Sequence, residues 1–113
     1  MELNKDYIAV DEAVKRVGGN KGLYIRLLNQ FVGGGHLGIL EQALSENDTE
    51  AAIRGAHTIK GVGANLSLPK LTAAASELEQ KIKKNEDYAD CLNEFKGIYD
   101  TTMQQIAIVI EQG

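Results

Sequence analysis

Apolar residues in this chain recur every three to four positions in four long stretches, and this period constrains the fold more than any other feature. A repeat near 3.6 residues places such positions on one face of an α-helix, and no stretch alternates with the period of two typical of a strand. The four stretches cover residues 20–44, 49–66, 69–84 and 88–109, with short polar turns between them. We therefore predict an all-α fold, an antiparallel four-helix bundle with a short N-terminal helix covering one end.

Local residue types predict where the helices begin and where one is interrupted. Asp11, Asn20 and either Asp48 or Thr49 stand before or at the start of an apolar repeat, where a side-chain oxygen can cap a helix. Pro69 suits a first helical turn, where its missing N–H is not needed. The run Gly33–Gly35 predicts a break or kink, because each glycine costs about 1 kcal/mol relative to alanine inside a helix.

Size and charge narrow the function classes. The 113 residues suit one domain, so residues 1–113 are expected to form a single bundle, most simply a monomer. A net charge of -4 without a basic stripe argues against nucleic acid. No apolar run reaches the roughly 18 residues of a membrane span, and the first residues do not read as a signal peptide. The single Cys91 cannot form an internal disulfide, so the fold does not depend on an oxidising compartment. We expect Cys91 to be a small core residue and the protein to be cytoplasmic.

The stretch 49–66 has a face that a core role does not explain. On a helical wheel, small and apolar residues lie opposite His57 and form the predicted core face. They are Ala52, Gly55, Ala56, Ile59, Val62, Gly63 and Leu66. The outward face then comprises Glu50, Ile53, Arg54, His57, Lys60, Gly61 and Ala64. His57 is therefore expected to face solvent, one turn from Lys60 and Gly61.

This outward face predicts a site that receives a chemical group. An imidazole is largely neutral at pH 7 and offers a nucleophilic lone pair. A cation one turn away at Lys60 can hold an incoming phosphoryl oxygen, and Gly61 leaves room for a bulky partner. No Ser–His–Asp arrangement and no second titratable partner at helical spacing are visible, which disfavours hydrolysis.

Three segments carry a resemblance to a known family. Ala56–Leu66, with the pattern His, two residues, Lys, Gly and then small residues, resembles the signature of histidine-containing phosphotransfer (HPt) domains. Ala13–Phe31 is similar to the family's opening helices, and Leu71–Glu79 to the helix after the histidine, ending in a Leu-Glu pair. The likeness covers roughly residues 8–84. It departs from the family at Ser67, where glycine is common, and at the glycine run, where many members have a continuous helix.

The resemblance implies a phosphorelay carrier. His57 would accept a phosphoryl group from a receiver-domain phosphoaspartate and pass it to another receiver aspartate, with Lys60 stabilising phosphate and Gly61 giving access. Receiver docking would involve Arg54, Ile53, Ala64 and Leu68. No intrinsic cofactor or metal is expected, because the receiver supplies Mg²⁺. The chain would have no independent turnover, whether it stands alone or belongs to a hybrid sensor histidine kinase.

Alternative interpretations remain open on the sequence. The closest is the phosphotransfer domain of a chemotaxis-type histidine kinase, phosphorylated by a kinase domain. A second alternative, from a different functional class, is a helical adaptor whose histidine is never phosphorylated. A bundle metalloprotein would need Glu-x-x-His motifs, which are absent, and His36, His57 and Cys91 lack metal-ligand spacing. His36 is interpreted as a structural residue.

Overall fold

Six α-helices make up the computed structural model, which describes residues 2–113 and has no strand within that range. The all-α prediction is therefore confirmed. The helices are α1 (Val10–Arg16), α2 (Lys21–Gly33), α3 (His36–Ser45), α4 (Thr49–Asn65), α5 (Pro69–Lys83) and α6 (Ala89–Gln112).

Two of the three predicted capping residues cap a helix. The Asn20 side chain accepts a hydrogen bond from the Leu23 backbone N–H at 2.9 Å, and Asp48 accepts one from Ala51 at 3.1 Å. Pro69 is the first residue of α5, as predicted. The cap assigned to Asp11 is wrong, because α1 begins one residue earlier and Asp11 lies within its first turn. A carboxylate there still interacts favourably with the positive end of the helix dipole.

The glycine run separates two helices, which confirms the predicted break. The second helix ends at Gly33 and the third begins at His36. Gly35 has a φ of 63°, a left-handed conformation that glycine adopts without steric cost. The His36 ring stacks on Phe31 with centroids 5.2 Å apart, which gives His36 a structural contact.

The helix that carries His57 lies between two neighbours. Helix α4 packs against α5 and α3, α5 packs against α6, and α6 packs against α2. Helix α1 contacts α2 and covers the end of α4, where Arg16 donates hydrogen bonds to the Ala64 and Asn65 carbonyls. The buried Tyr24 hydroxyl donates to the Leu66 carbonyl at 2.8 Å and ties α2 to the same end.

Small residues let α5 approach α4 closely. Gly63 is buried on α4, and a Cβ there would lie 2.6 Å from the Thr72 hydroxyl oxygen on α5. This close packing is what brings side chains of α5 to the outward face of α4. At the other side of α5, the half-buried Cys91 of α6 packs at the edge of the core. Within residues 2–113, no helix combines the length and the apolar character that crossing a membrane requires.

Candidate functional site

His57 lies on the solvent-facing side of α4. Its side chain is 69% exposed, whereas its neighbours Ala56 and Ile59 are completely buried. Intrahelical geometry explains this placement, because the core face and the histidine lie on opposite sides of the helix. The outward orientation agrees with the helical wheel.

A buried carboxylate on α5 holds the histidine ring. The Glu79 side chain is only 3% exposed, and its Oε2 lies 3.2 Å from His57 Nδ1. Because an ionised carboxylate can only accept hydrogen bonds, Nδ1 carries the ring proton and donates a hydrogen bond to Glu79. The other ring nitrogen, Nε2, is then left with its lone pair. This contact therefore assigns the tautomer that a nucleophilic imidazole needs.

Two lysines complete the surroundings of Glu79. Lys83, one turn further along α5, places Nζ 3.0 Å from Oε2. Lys60 of α4 lies with Nζ 3.9 Å from Oε1, an oxygen that has no hydrogen-bond partner within the described residues. Burial raises the pKa of the Glu79 carboxyl, but Lys83 and His57 outweigh it and hold that pKa below its ordinary value. The carboxylate is thus ionised at neutral pH although it is buried.

Glu79 was not predicted as a partner of His57, because helical spacing indicates only partners within the same helix. A wheel of α4 cannot show a residue of α5, which lies 22 positions away along the chain. A signal was nevertheless present in α5. Glu79 is four residues after Ala75 and three before Ile82, so it falls on the buried apolar stripe. A carboxylate at such a position is rarely buried without a partner.

Gly61 lies in open space one turn after His57. It is exposed, and a Cβ at this position would meet no other atom within 4 Å. Packing against a neighbouring helix therefore does not require glycine here, unlike at Gly63. The surface beside the imidazole is therefore open at Gly61.

The four expected docking residues do not form one exposed patch. Arg54 and Ala64 are exposed and Ile53 is half-buried, but Leu68 is fully buried. The expectation that Leu68 contacts a partner directly is wrong. The chain reverses at Ser67, whose φ of 56° is left-handed, and Leu68 then turns into the core. This backbone conformation suits glycine, and Arg16 supports the serine by donating to its Oγ at 3.1 Å.

Apolar residues that the wheel did not consider are exposed on neighbouring elements. Ile39 of α3 and Val32 of α2 are large hydrophobic side chains open to solvent. Within residues 2–113, no three His, Cys, Asp or Glu side chains are grouped so that they could hold a metal ion.

Comparison with known proteins agrees with this geometry. A family model described as "Hpt domain" matches residues 33–112, which include α4 with His57 and α5 with Glu79. Because the match covers more than half of the chain, the chain belongs to the Hpt domain family. Such domains carry out histidine phosphotransfer in phosphorelays and interact with receiver domains or kinases. Searches of curated proteins and of solved structures return no match.

The lowered pKa of Glu79 predicts a specific loss of stability in acid. A carboxyl whose pKa is lower in the folded than in the unfolded chain stabilises the fold above its unfolded value. For Glu79 the ordinary value is 4.5, so this stabilisation is lost as the pH falls below it and through the folded-state pKa. Urea unfolding between pH 7 and about pH 3 should show a steeper loss for wild type than for Glu79→Gln.

The exposed Glu77 provides the matched control for this measurement. Glu77→Gln should keep the wild-type dependence on pH, because its side chain is exposed to solvent and takes no part in the contacts of Glu79. Parallel curves for wild type and Glu79→Gln would show that the buried carboxylate does not titrate as described.

Proposed function

We propose that this chain is a phosphorelay carrier in which Nε2 of His57 takes a phosphoryl group from a receiver phosphoaspartate and delivers it to another receiver aspartate. The observation that carries the proposal is the hydrogen bond from His57 Nδ1 to the buried Glu79 carboxylate. It holds the ring in one orientation and tautomer while most of the imidazole stays exposed.

The transfer step follows from this arrangement. The Nε2 lone pair attacks the phosphorus, the new N–P bond forms, and the P–O bond to the donor aspartate breaks, leaving a carboxylate. The proton on Nδ1 stays hydrogen-bonded to Glu79, whose negative charge stabilises the positive charge that develops on the ring. The second transfer is the reverse reaction with a different aspartate. Mg²⁺ would be supplied by the receiver, with no cofactor and no independent turnover on this chain.

The proposal includes an antiparallel four-helix bundle. Short connections join α4 to α5 and α5 to α6, and these pairs pack side by side. Helices α2 and α3, separated by the glycine break, together take the place of the remaining helix. Packing of α2 on α6 and of α3 on α4 supports this closed arrangement. One domain over residues 1–113, monomeric and cytoplasmic, is part of the same proposal.

Receivers are proposed to dock over the outward face of α4. Arg54 and Ala64 are exposed on either side of His57 along the helix, and the half-buried Ile53 adds apolar surface. The exposed Ile39 on the adjacent α3 is proposed to contribute to docking in place of the buried Leu68. The excess of acidic residues supports a protein partner over nucleic acid.

The direct test is phosphorylation by purified receiver domains. The chain is incubated with receivers charged by a small phosphodonor, and phosphate that is acid-labile and alkali-stable is mapped by mass spectrometry. Labelling of His57 supports the proposal. Labelling only by a kinase domain with ATP would indicate a chemotaxis-type kinase domain instead, and no labelling by either donor would indicate an adaptor.

Lys60→Ala should slow transfer at least tenfold, which corresponds to about 1.4 kcal/mol in the barrier. The Lys60 side chain is 39% exposed and only loosely paired with Glu79, so its ammonium can turn to the phosphoryl oxygens. The free energy of unfolding should change by about 0.5 kcal/mol or less, as for most surface substitutions. Single-turnover transfer rates and thermal melts measure the two effects. The control is Lys21→Ala at the exposed start of α2, and equal rates for both variants would exclude Lys60 from the mechanism.

A further inference from the structure

One oxygen of Glu79 serves two donors. Oε2 accepts from His57 Nδ1 at 3.2 Å and lies 3.0 Å from Lys83 Nζ. The Lys83 side chain is 47% exposed, so it reaches this buried oxygen from the surface, four residues further along the same helix. The ring and Lys83 therefore share one acceptor oxygen of Glu79.

The other charged groups of α4, and the ion pair on the neighbouring α3, are arranged differently. On α4, Lys60 approaches the opposite oxygen, Oε1, at 3.9 Å, and the exposed Arg54 lies one turn before His57. On α3, Glu41 pairs with Lys96 of α6. In the part of the chain that the structure describes, no further salt bridge reaches Glu79. Lys83 is thus the cation closest to the oxygen that holds the imidazole.

We propose that Lys83 is a positioning residue that weakens the hold of Glu79 on the His57 ring and so keeps the phosphorylated ring a good leaving group. This inference rests on the proposed function and deepens it. A carboxylate oxygen that already accepts a charge-assisted bond from an ammonium has less electron density to offer a second donor. The hydrogen bond from Nδ1 to Glu79 is then weaker, and the ring gains less electron density from it, than with Glu79 alone.

The consequence concerns the second transfer. When the phosphoryl group moves on, the N–P bond breaks and its electron pair returns to Nε2, while a new P–O bond forms to the acceptor carboxylate. The proton on Nδ1 remains between the ring and Glu79. A stronger pull by Glu79 on this proton makes the ring more basic and therefore a poorer leaving group. Lys83 limits that pull and favours onward transfer.

The test begins with titration of the His57 ring by NMR in the full, unphosphorylated chain. Lys83→Met retains the aliphatic stem and removes the charge, and we expect the His57 titration midpoint to rise by about 0.5 pH unit or more, about a threefold change in protonation. The midpoint should return towards wild type in Lys83→Arg. The adjacent Lys84→Met removes the same charge from an exposed residue that takes no part in the salt bridges of Glu79, and it should shift the midpoint far less.

A double-variant cycle separates action through Glu79 from a general charge effect. In a Glu79→Gln background, Lys83→Met should shift the His57 midpoint by clearly less than it does in wild type. Equal shifts in the two backgrounds would overturn the proposal, because Lys83 would then act directly on the ring. An unchanged or lowered midpoint in Lys83→Met would overturn it as well. Thermal melts check that every variant is folded.

The second arm measures phosphoryl transfer. At equilibrium with one receiver, Lys83→Met should retain about threefold more phosphate on His57 than wild type, and Lys84→Met should match wild type. Equal amounts of phosphate on His57 in Lys83→Met and wild type would overturn the proposed effect of Lys83 on the ring as a leaving group. Absence of transfer in wild type would instead refute the proposed function, while the ring titration would still decide whether Lys83 acts through Glu79.

Discussion

His57→Gln is expected to reduce phosphate incorporation to background, a loss of at least about a hundredfold, while the helical fold remains intact. Glutamine has no nucleophilic nitrogen, but its amide can still donate a hydrogen bond to Glu79. Because the side chain is largely exposed, the free energy of unfolding should change by less than about 1 kcal/mol. Radiolabel transfer from a phosphorylated receiver and circular dichroism melts measure the two outcomes.

His36→Gln is the matched control, since it removes the other histidine of the chain. It should keep full labelling, although loss of the stacking contact with Phe31 can lower its melting temperature. Labelling that persists in His57→Gln would refute the assignment of the phosphoacceptor. Loss of helicity would instead show that the histidine supports the fold.

Gly61→Leu is expected to have effects of opposite sign on stability and on transfer. Leucine is the better helix former and a Cβ at this position meets no other atom, so the free energy of unfolding should rise by up to about 1 kcal/mol. The new side chain stands one turn from His57, on the surface proposed for receiver docking, and should reduce transfer at least tenfold. Thermal melts and single-turnover rates on the same preparations decide both parts.

Gly97 of α6 offers a matched control within another helix. It is also exposed, and a Cβ at this position would meet no other atom within 4 Å. Gly97→Leu should therefore give a similar gain in stability and leave transfer unchanged. Full-rate transfer by a stable Gly61→Leu protein would place the docking face elsewhere. Early melting of that protein would contradict the open surroundings of Gly61.

Features that depend on neighbouring residues along the chain were predictable from sequence. Helical period alone placed His57 outward on α4, because only the geometry of one helix is involved. The caps at Asn20 and Asp48 are likewise local, as each side chain bonds a backbone group three residues on. The break before His36 followed from the conformational freedom of glycine.

Features that depend on how helices meet were decided only by the tertiary structure. Glu79 joins His57 across 22 residues because small side chains such as Gly63 let α5 approach α4, a distance that no periodicity encodes. Leu68 became a core residue because the backbone turns at a left-handed Ser67, whereas apolar character alone fits either a core or a docking surface. The sequence by itself determined the outward position of His57 and the helix that carries it, since these follow from local geometry. The contact of the His57 ring with the buried Glu79 carboxylate is made through space, and it exists only once the helices have packed.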